Sequence, residues 1–451
     1  MLRDEARIIQ GDSLKVLPTL PKNSVQCVVT SPPYFNLRSY STVEWIGGDS
    51  GCDHVANPNA TKVPGYYTET CTKCGARMID GQIGNENTLD AYIENLVMVF
   101  RGVYEVLHDN GVVFLNLGDS YAGSGKGIMS DGTIVGGEKQ KTNRGTMAGR
   151  IKKQKLSNGL KPKDLMFVPF RVAIALQEDG WWVRSIIPWI KINPIPGSQD
   201  DRPTVSTEYV FLLSKSQHYF FDMEAVKRPT ADSSIARAKR AVGENKYYEG
   251  APGQKVQTLL QPRKHGEGET RTMRSLRESD FFFDSLQSIL DGEQGLLYDE
   301  DPLAFVLSTG GYRGAHYATM PQRLAEICVL AGTSEIGECP HCGAPWKRII
   351  EHETASPRQN PGYTKNWYQR NDGERPGSFT DHKFITLGWE QSCSCPQHEP
   401  VPQTVLDPFS GVGTTGLVAL KDRRRYVGIE LSQDYIDQTW RRFEGIQQRM
   451  F

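Results

Sequence analysis

Apolar positions along the chain fall into two rhythms. Residues 25–30 form a mostly apolar run that Pro32 and Pro33 stop, as in a strand buried on both faces, and residues 6–10 form a shorter one. Between them, 13–20 reads as a helix. Residues 88–107 place Leu89, Tyr92, Ile93, Leu96, Val99, Phe100, Val103 and Leu107 at helical spacing behind Thr88, a suitable N-cap, and 111–117 is a buried strand again. Farther on, 169–177 reads as a helix, 181–191 and 208–215 as strands flanking a proline-rich turn, and 322–331 as a helix. The chain closes on a strand (404–406), a turn (407–413), a helix (414–421), a strand (426–430) and a final helix (433–443). This alternation predicts an α/β fold with a doubly wound, mostly parallel sheet.

Composition narrows the class. With 451 residues, 38% of them hydrophobic, the chain can bury one large core or two ordinary ones. No stretch approaches the roughly 18 apolar residues of a membrane span, and the opening residues lack the layout of a signal peptide, so a cytoplasmic protein with no membrane partner is expected. The net charge of −1 neither supports nor excludes a polyanionic partner. Local charge says more: residues 126–163 carry ten lysines and arginines against Asp131 and Glu138, among glycines, and read as a basic loop.

Nine cysteines in such a chain argue for metal ligation over disulfides. Cys52 and His54 with Cys71 and Cys74 make one set of four ligands suited to tetrahedral zinc. Cys339 and Cys342 with Cys393 and Cys395 make a second, in which His398 or His341 could replace one member. Closed four-ligand sites are structural, so two structural zinc ions are expected. Cys27, on an apolar strand and in no Pro-Cys loop, reads as a core residue, which argues against covalent attack on a ring carbon.

Gly411-x-Gly413-x-x-Gly416 lies between a predicted strand and helix, with Glu430 at the tip of the next strand. That spacing fits a loop that approaches a nucleotide-type cofactor while the acid receives ribose hydroxyls. The loop admits a dinucleotide or S-adenosylmethionine. Only about one helix follows Glu430, so the sheet must be completed from upstream, and the carboxylate of Asp407 suits a cationic sulfonium better than a pyrophosphate. Thr30-Ser31-Pro32-Pro33-Tyr34 sits at the carboxyl end of a buried strand, where open α/β sheets bind ligands. Its two prolines fix φ and remove two donors, leaving the Ser31 and Pro32 carbonyls free to accept, and Tyr34 offers a stacking platform.

Taken together, TSPPY at 30–34, DPFSGVGTT at 407–415 and VGIE at 427–430 resemble the DNA methyltransferases that modify exocyclic amino groups, in the order with the catalytic motif first. The resemblance covers most of the chain outside 45–85, 231–304 and 339–399. It implies a seven-stranded Rossmann-like methyltransferase sheet. Its catalytic loop is Ser31, Pro32, Pro33 and Tyr34, and its S-adenosylmethionine site takes in Asp12, Thr30, His316, Asp407, Pro408, Phe409, Gly411, Gly413, Thr414, Thr415 and Glu430. Trp189, Lys191 and Asn193 would help enclose the target base. The partner implied is double-stranded DNA, with a possible cognate restriction enzyme, in a bacterial or phage setting; the oligomeric state stays open.

The expected organisation is a catalytic domain in pieces. Residues 1–44 form its first part, 86–230 its second with a basic loop at 121–163, 305–338 a segment for the cofactor's tail, and 400–451 its cofactor-binding end. Zinc-binding insertions fall at 45–85 and 339–399, and a target-recognition module at 231–304. A serine at the head of the loop favours cytosine N4 as the methylated atom. The alternatives are adenine N6, an amino group in RNA or protein, a non-catalytic zinc-stabilised DNA-binding protein, and an oxidoreductase.

Overall fold

The computed structural model describes residues 5–35, 43–49, 51–54, 68–80, 82–86, 88–122, 159–191, 201–226, 228–229, 270–271, 305–307, 320–354 and 382–447. His316, Asn193, most of the basic loop and nearly all of 231–304 lie outside them. By compactness the chain divides into one unit of 1–222, 304–345 and 393–451 and a second of 223–303 and 346–392.

The first unit is built on one mixed sheet. Its strands are β1 (Ala6–Gln10), β2 (Val25–Thr30), β6 (Leu107–Leu117), β7 (Trp182–Lys191), β8 (Thr207–Ser214), β11 (Phe305–Leu307), β14 (Thr404–Asp407) and β15 (Arg425–Glu430). Their order is β1-β15-β14-β2-β6-β8-β7-β11. That is one strand more than expected, because the three-residue β11 adds in parallel to β7 at the edge. β8 runs antiparallel to both β6 and β7, and the other pairs are parallel.

Six helices accompany the sheet among the described residues: α1 (Ser13–Val16), α2 (Leu89–Val106), α3 (Val168–Glu178), α4 (Gln322–Gly332), α5 (Thr414–Lys421) and α6 (Gln433–Gln447). α2 forms where expected, its first turn closed by Thr88 Oγ1, which accepts from Ala91 N at 3.2 Å. Its stripe of Leu89, Tyr92, Leu96, Val99, Phe100 and Val103 is buried in one cluster with α3 and with Val28, Val113, Leu115 and Phe211 of the strands. α5 packs against both α4 and α6, with α4 on β2, α5 on β14 and β15, and α6 on β15. Cys27, fully buried and with its thiol pushed far up by burial, turns toward α4, where its Sγ lies 4.0 Å from Cys328 O. It is a core residue. Among the described residues no helix is long and apolar enough to cross a membrane.

Two additions interrupt the sheet. β3 (Val43–Ile46), β4 (Thr68–Thr70) and β5 (Arg77–Asp80) form a small antiparallel sheet in the order β3-β5-β4. The second unit contains the two-residue strands β9 (Arg228–Pro229) and β10 (Thr270–Arg271), and an antiparallel hairpin of β12 (Lys347–Thr354) and β13 (His382–Glu390). The Arg348 guanidinium lies 4.2 Å above the Trp389 ring across that hairpin, in good cation–π range.

Candidate active site

β14 and β2 lie side by side, and the chain leaves them in opposite directions, from β14 toward β15 and from β2 toward β6. Such a topological switch point opens a crevice at the carboxyl ends of the strands, and both sequence motifs sit there. Thr30, the last residue of β2, donates from Oγ1 to Asp407 Oδ1 at 2.7 Å, so one hydrogen bond joins the two motifs. The same oxygen accepts from Phe409 N at 3.0 Å, and Thr415 Oγ1 reaches back to Val29 O at 3.1 Å.

The glycine turn is held from three sides. Glu430 accepts Gly411 N at 2.8 Å on one carboxylate oxygen and Ser432 N at 2.9 Å on the other. Thr439 of α6 donates to Gly411 O at 3.2 Å, and Arg442 donates to Val412 O. Gly413 has φ of +70°, and a Cβ there would lie 2.2 Å from Thr439 Cγ2, so the position needs glycine twice over. Ser13 ties the start of α1 to the turn by donating to Pro408 O at 2.5 Å. Asp12 caps α1, its Oδ1 accepting from Leu14 N at 2.9 Å, a structural use that leaves its second oxygen for other donors.

Burial raises both acids of this site. Asp407 is pushed up to about 6, with hydrogen bonds from Thr30 and Phe409 only partly offsetting desolvation, and Glu430 is raised for the same reason. A buried carboxylate at the tip of β14 and a half-buried one at the tip of β15, both with spare lone pairs, fit a ligand that is cationic and carries hydroxyls, as S-adenosylmethionine is and does. A dinucleotide pyrophosphate would meet repulsion here.

This arrangement has a measurable consequence. An acid raised in the fold favours the native state below its unfolded value near 3.8, and that advantage is lost as pH rises through about 6. Above that, ionised Asp407 costs the empty protein about 3 kcal/mol, because moving a carboxyl from 3.8 to about 6 costs about 1.4 kcal/mol for each pH unit crossed. Asp407→Asn keeps an acceptor for Thr30 and Phe409 while removing the charge. It should raise the melting temperature of the empty protein at about pH 7.5 and weaken cofactor binding. In the unaltered protein, cofactor affinity should fall as pH drops below about 6, because a cation prefers the ionised acid; calorimetric titration on either side of that value reads both effects.

The second half of the site surrounds the SPPY loop. Tyr92 OH donates to Pro33 O at 3.0 Å and so fixes the loop against α2, while no donor among the described residues meets the Pro32 carbonyl. Ser31 Oγ donates to Tyr34 OH at 3.3 Å. Tyr34 OH donates in turn to Glu208 Oε2 at 2.5 Å and receives Asn116 Nδ2 at 2.9 Å. Asn116 also donates to Glu208 Oε2 at 2.9 Å, and Lys191 Nζ pairs with Glu208 Oε1. Lys191 Nζ further lies 5.2 Å from the centroid of the buried Trp189 ring. Sequence reasoning singles out Ser31, Tyr34, Trp189 and Lys191 but neither Asn116 nor Glu208. The available signals were an amide inside the apolar run of β6 and a carboxylate opening β8. Asp119, just beyond β6, holds the start of α3 by accepting from Val168 N at 3.0 Å, a capping role.

The two cysteine sets each converge, with one ligand atom from every member within 4.8 Å of all the others: Cys52, His54, Cys71 and Cys74, and Cys339, Cys342, Cys393 and Cys395. In the second set the four cysteines come together, while the His341 and His398 rings meet edge to face at 5.3 Å. The two C-x-x-C-G turns are built alike. In each, the first cysteine's N–H donates to the residue after the glycine (Cys71 to Ala76, 2.7 Å; Cys339 to Ala344, 2.8 Å), and the glycine's N–H returns to the first cysteine's carbonyl. A further N–H reaches its sulfur at 3.4 Å, from Lys73 in one and His341 in the other. Gly75 and Gly343 take φ of +73° and +72°, which this turn requires. Cys52 and Cys71 lie 3.8 Å apart, the edge of a tetrahedron with zinc–sulfur bonds of about 2.3 Å.

The chain belongs to the DNA methylase family N6_N4_Mtase, whose profile matches residues 25–338 and 394–441, and with it to the S-adenosylmethionine-dependent DNA amino-methyltransferases. It is similar to Type II methyltransferase M.Cfr9I of Citrobacter freundii, at 28% identity over 98% of this chain and 88% of that protein. Type II methyltransferase M.SmaI of Serratia marcescens is 28% identical over 95% and 87%. Among solved structures, PvuII DNA methyltransferase (cytosine-N4-specific) aligns over 97% of this chain and 86% of its own, at 13% identity and a TM-score of 0.42.

Proposed function

We propose that the chain transfers the methyl group of S-adenosylmethionine to cytosine N4 at a specific site in double-stranded DNA, inside the cell and alongside a cognate restriction enzyme. The observation that carries this reading is a serine hydroxyl heading a rigid Pro-Pro-Tyr loop, one strand from the acid of the cofactor turn and tied to it through Thr30. An exocyclic amine is a poor nucleophile because its lone pair is delocalised into the ring. Ser31 Oγ and the Pro32 carbonyl accept its two hydrogens and draw the nitrogen toward tetrahedral geometry. Bound cofactor supplies the electrophilic methyl; Asp407, Glu430 and the Gly411–Gly413 turn hold it. The methylated amine is acidic enough to lose its proton without a strong base, so the protein's contribution is positioning and electrostatics. A base in a duplex must first be flipped out, and Tyr34 is the ring that receives it, with Trp189 and Lys191 walling the pocket.

A serine at the head of the loop favours cytosine N4 over adenine N6, and a neutral hydroxyl accepts from the amine without setting a carboxylate's full charge beside the lone pair of cytosine N3. Zinc in the two cysteine sets braces the insertions, and the basic residues of 231–304, from Arg237 to Arg277, read the target sequence. The test is to methylate mixed-sequence DNA with labelled cofactor, digest it to nucleosides and identify the labelled species by mass spectrometry. N4-methylcytosine is the expected product. Label in N6-methyladenine alone would refute the cytosine assignment while leaving amino methylation intact.

A further inference from the structure

The groups around Ser31 can be assigned hydrogen by hydrogen. An ionised carboxylate only accepts, so Glu208 Oε2 obliges Tyr34 OH to donate to it at 2.5 Å and takes a second hydrogen from Asn116 Nδ2 at 2.9 Å. With its own hydrogen committed, the Tyr34 oxygen has only lone pairs left. These accept the other Asn116 hydrogen at 2.9 Å and the Ser31 hydroxyl hydrogen at 3.3 Å. The Ser31 oxygen is then left with lone pairs alone, one of them facing Asn116 Nδ2 at 3.5 Å. Lys191 holds Oε1 of the same carboxylate and so leaves Oε2 turned toward Tyr34. Glu208 is buried to 6% exposure and Asn116 to 1%, so water competes little for these bonds. The Asn116 carbonyl oxygen is also buried without a partner. Asn116 on β6, Glu208 on β8 and Lys191 on β7 all reach the carboxyl end of β2, because the antiparallel β8 brings its beginning beside the ends of its neighbours.

We infer that Glu208 is a positioning residue that sets the direction of hydrogen bonding through Tyr34, so that Ser31 meets the target amine as an acceptor and never as a donor. This rests on the reading of Ser31 as the amine's acceptor. It gives Tyr34 two separable tasks, its ring for the base and its hydroxyl for Ser31. An amide in place of Glu208 can donate to Tyr34, which would reverse the chain and point the Ser31 hydrogen at the substrate.

The test is a double-mutant cycle on the full chain with Glu208→Gln and Tyr34→Phe, read by single-turnover methyl transfer, cofactor affinity, KM for DNA and thermal melting. Each single variant should lose at least about 30-fold in rate with cofactor affinity and KM within about 3-fold, and the double variant should be no slower than the slower single, since both act through one hydroxyl. A Glu208→Gln rate within about 3-fold of the unaltered protein, or losses that multiply in the double variant, would overturn the inference. If Glu208→Gln does not fold, Tyr34→Phe alone decides: a near-normal rate overturns it and a loss at unchanged KM supports it. The product made by the unaltered protein is identified in parallel. Methyl on a ring atom would refute the amino-transfer reading whatever the variants do.

Discussion

Ser31→Ala should reduce the rate of methyl transfer by about 100-fold or more, the scale seen when one preorganised polar contact to a developing charge is removed, while cofactor affinity stays within about 3-fold. The separation follows from placement. Among the described residues Ser31 bonds only within the Tyr34 and Asn116 group, whereas Asp407 and Glu430 are held through Thr30, Phe409, Gly411 and Ser432. Tyr34→Ala should be at least as damaging, because it removes a stacking surface worth about 1–3 kcal/mol per base. It also takes one hydrogen-bond partner each from Glu208 Oε2 and Asn116 Nδ2, which keep each other. Rapid-quench measurement with labelled cofactor, paired with calorimetric titration of the cofactor, reads the two effects apart. Near-normal turnover by both variants would remove Ser31 and Tyr34 from the mechanism.

The other large effect concerns metal. Purified protein should contain two zinc ions per chain, and their removal by chelators should abolish cooperative melting of the insertions, since structural zinc sites contribute about 10 kcal/mol or more to folding in small modules. The two sites should differ in what else they disturb. Cys71→Ser should release one zinc and loosen the small sheet of β3, β4 and β5, with cofactor binding kept. Cys339→Ser should release the other and weaken cofactor binding several-fold as well. The neighbouring Glu338 exchanges both backbone hydrogen bonds with Val401, at 2.8 and 2.9 Å, and Ser334 N is held by Gln403, just ahead of β14. His108 Nε2 meets Cys342 O at 2.9 Å, linking the same turn to β6. Metal analysis showing no zinc, with melting indifferent to chelators, would sink the assignment.

How much of this was legible in the sequence depended on distance along the chain. The loops at 30–34 and 407–415 are contiguous, their glycines and prolines dictate local backbone geometry, and both fall where expected. The C-x-x-C-G turns are local for the same reason, and their near-identical hydrogen bonding agrees with that reading. The fourth member of the second cluster was not legible, because His341, His398 and four cysteines all lay within reach until the fold selected among them. Nor was the Asn116 and Glu208 pair, since only the register of β6 against β8 places residues 92 positions apart in one hydrogen-bonded group. The hairpin of β12 and β13 lay inside a stretch that reads as an irregular insertion, and β11 is too short to show a period.

The strand order also bears on how the molecule comes into being. β14 stands between β2 and β15, and β1 has β15 as its neighbour in the sheet, so strands made first wait for strands made last. While the chain is being synthesised, β2 carries an open edge of six fully buried-type residues, Val25–Thr30, until residues 404–430 emerge. Such an edge is a template for pairing with other chains, and contacts that span nearly the whole sequence close slowly. A nascent or truncated chain is therefore most exposed to misassembly just before residues 404–430 arrive. The same chain order makes the crevice between β2 and β14 a late feature: a ribosome-bound fragment that already carries the 30–34 loop lacks the facing 407–415 turn until residues 404–430 have emerged.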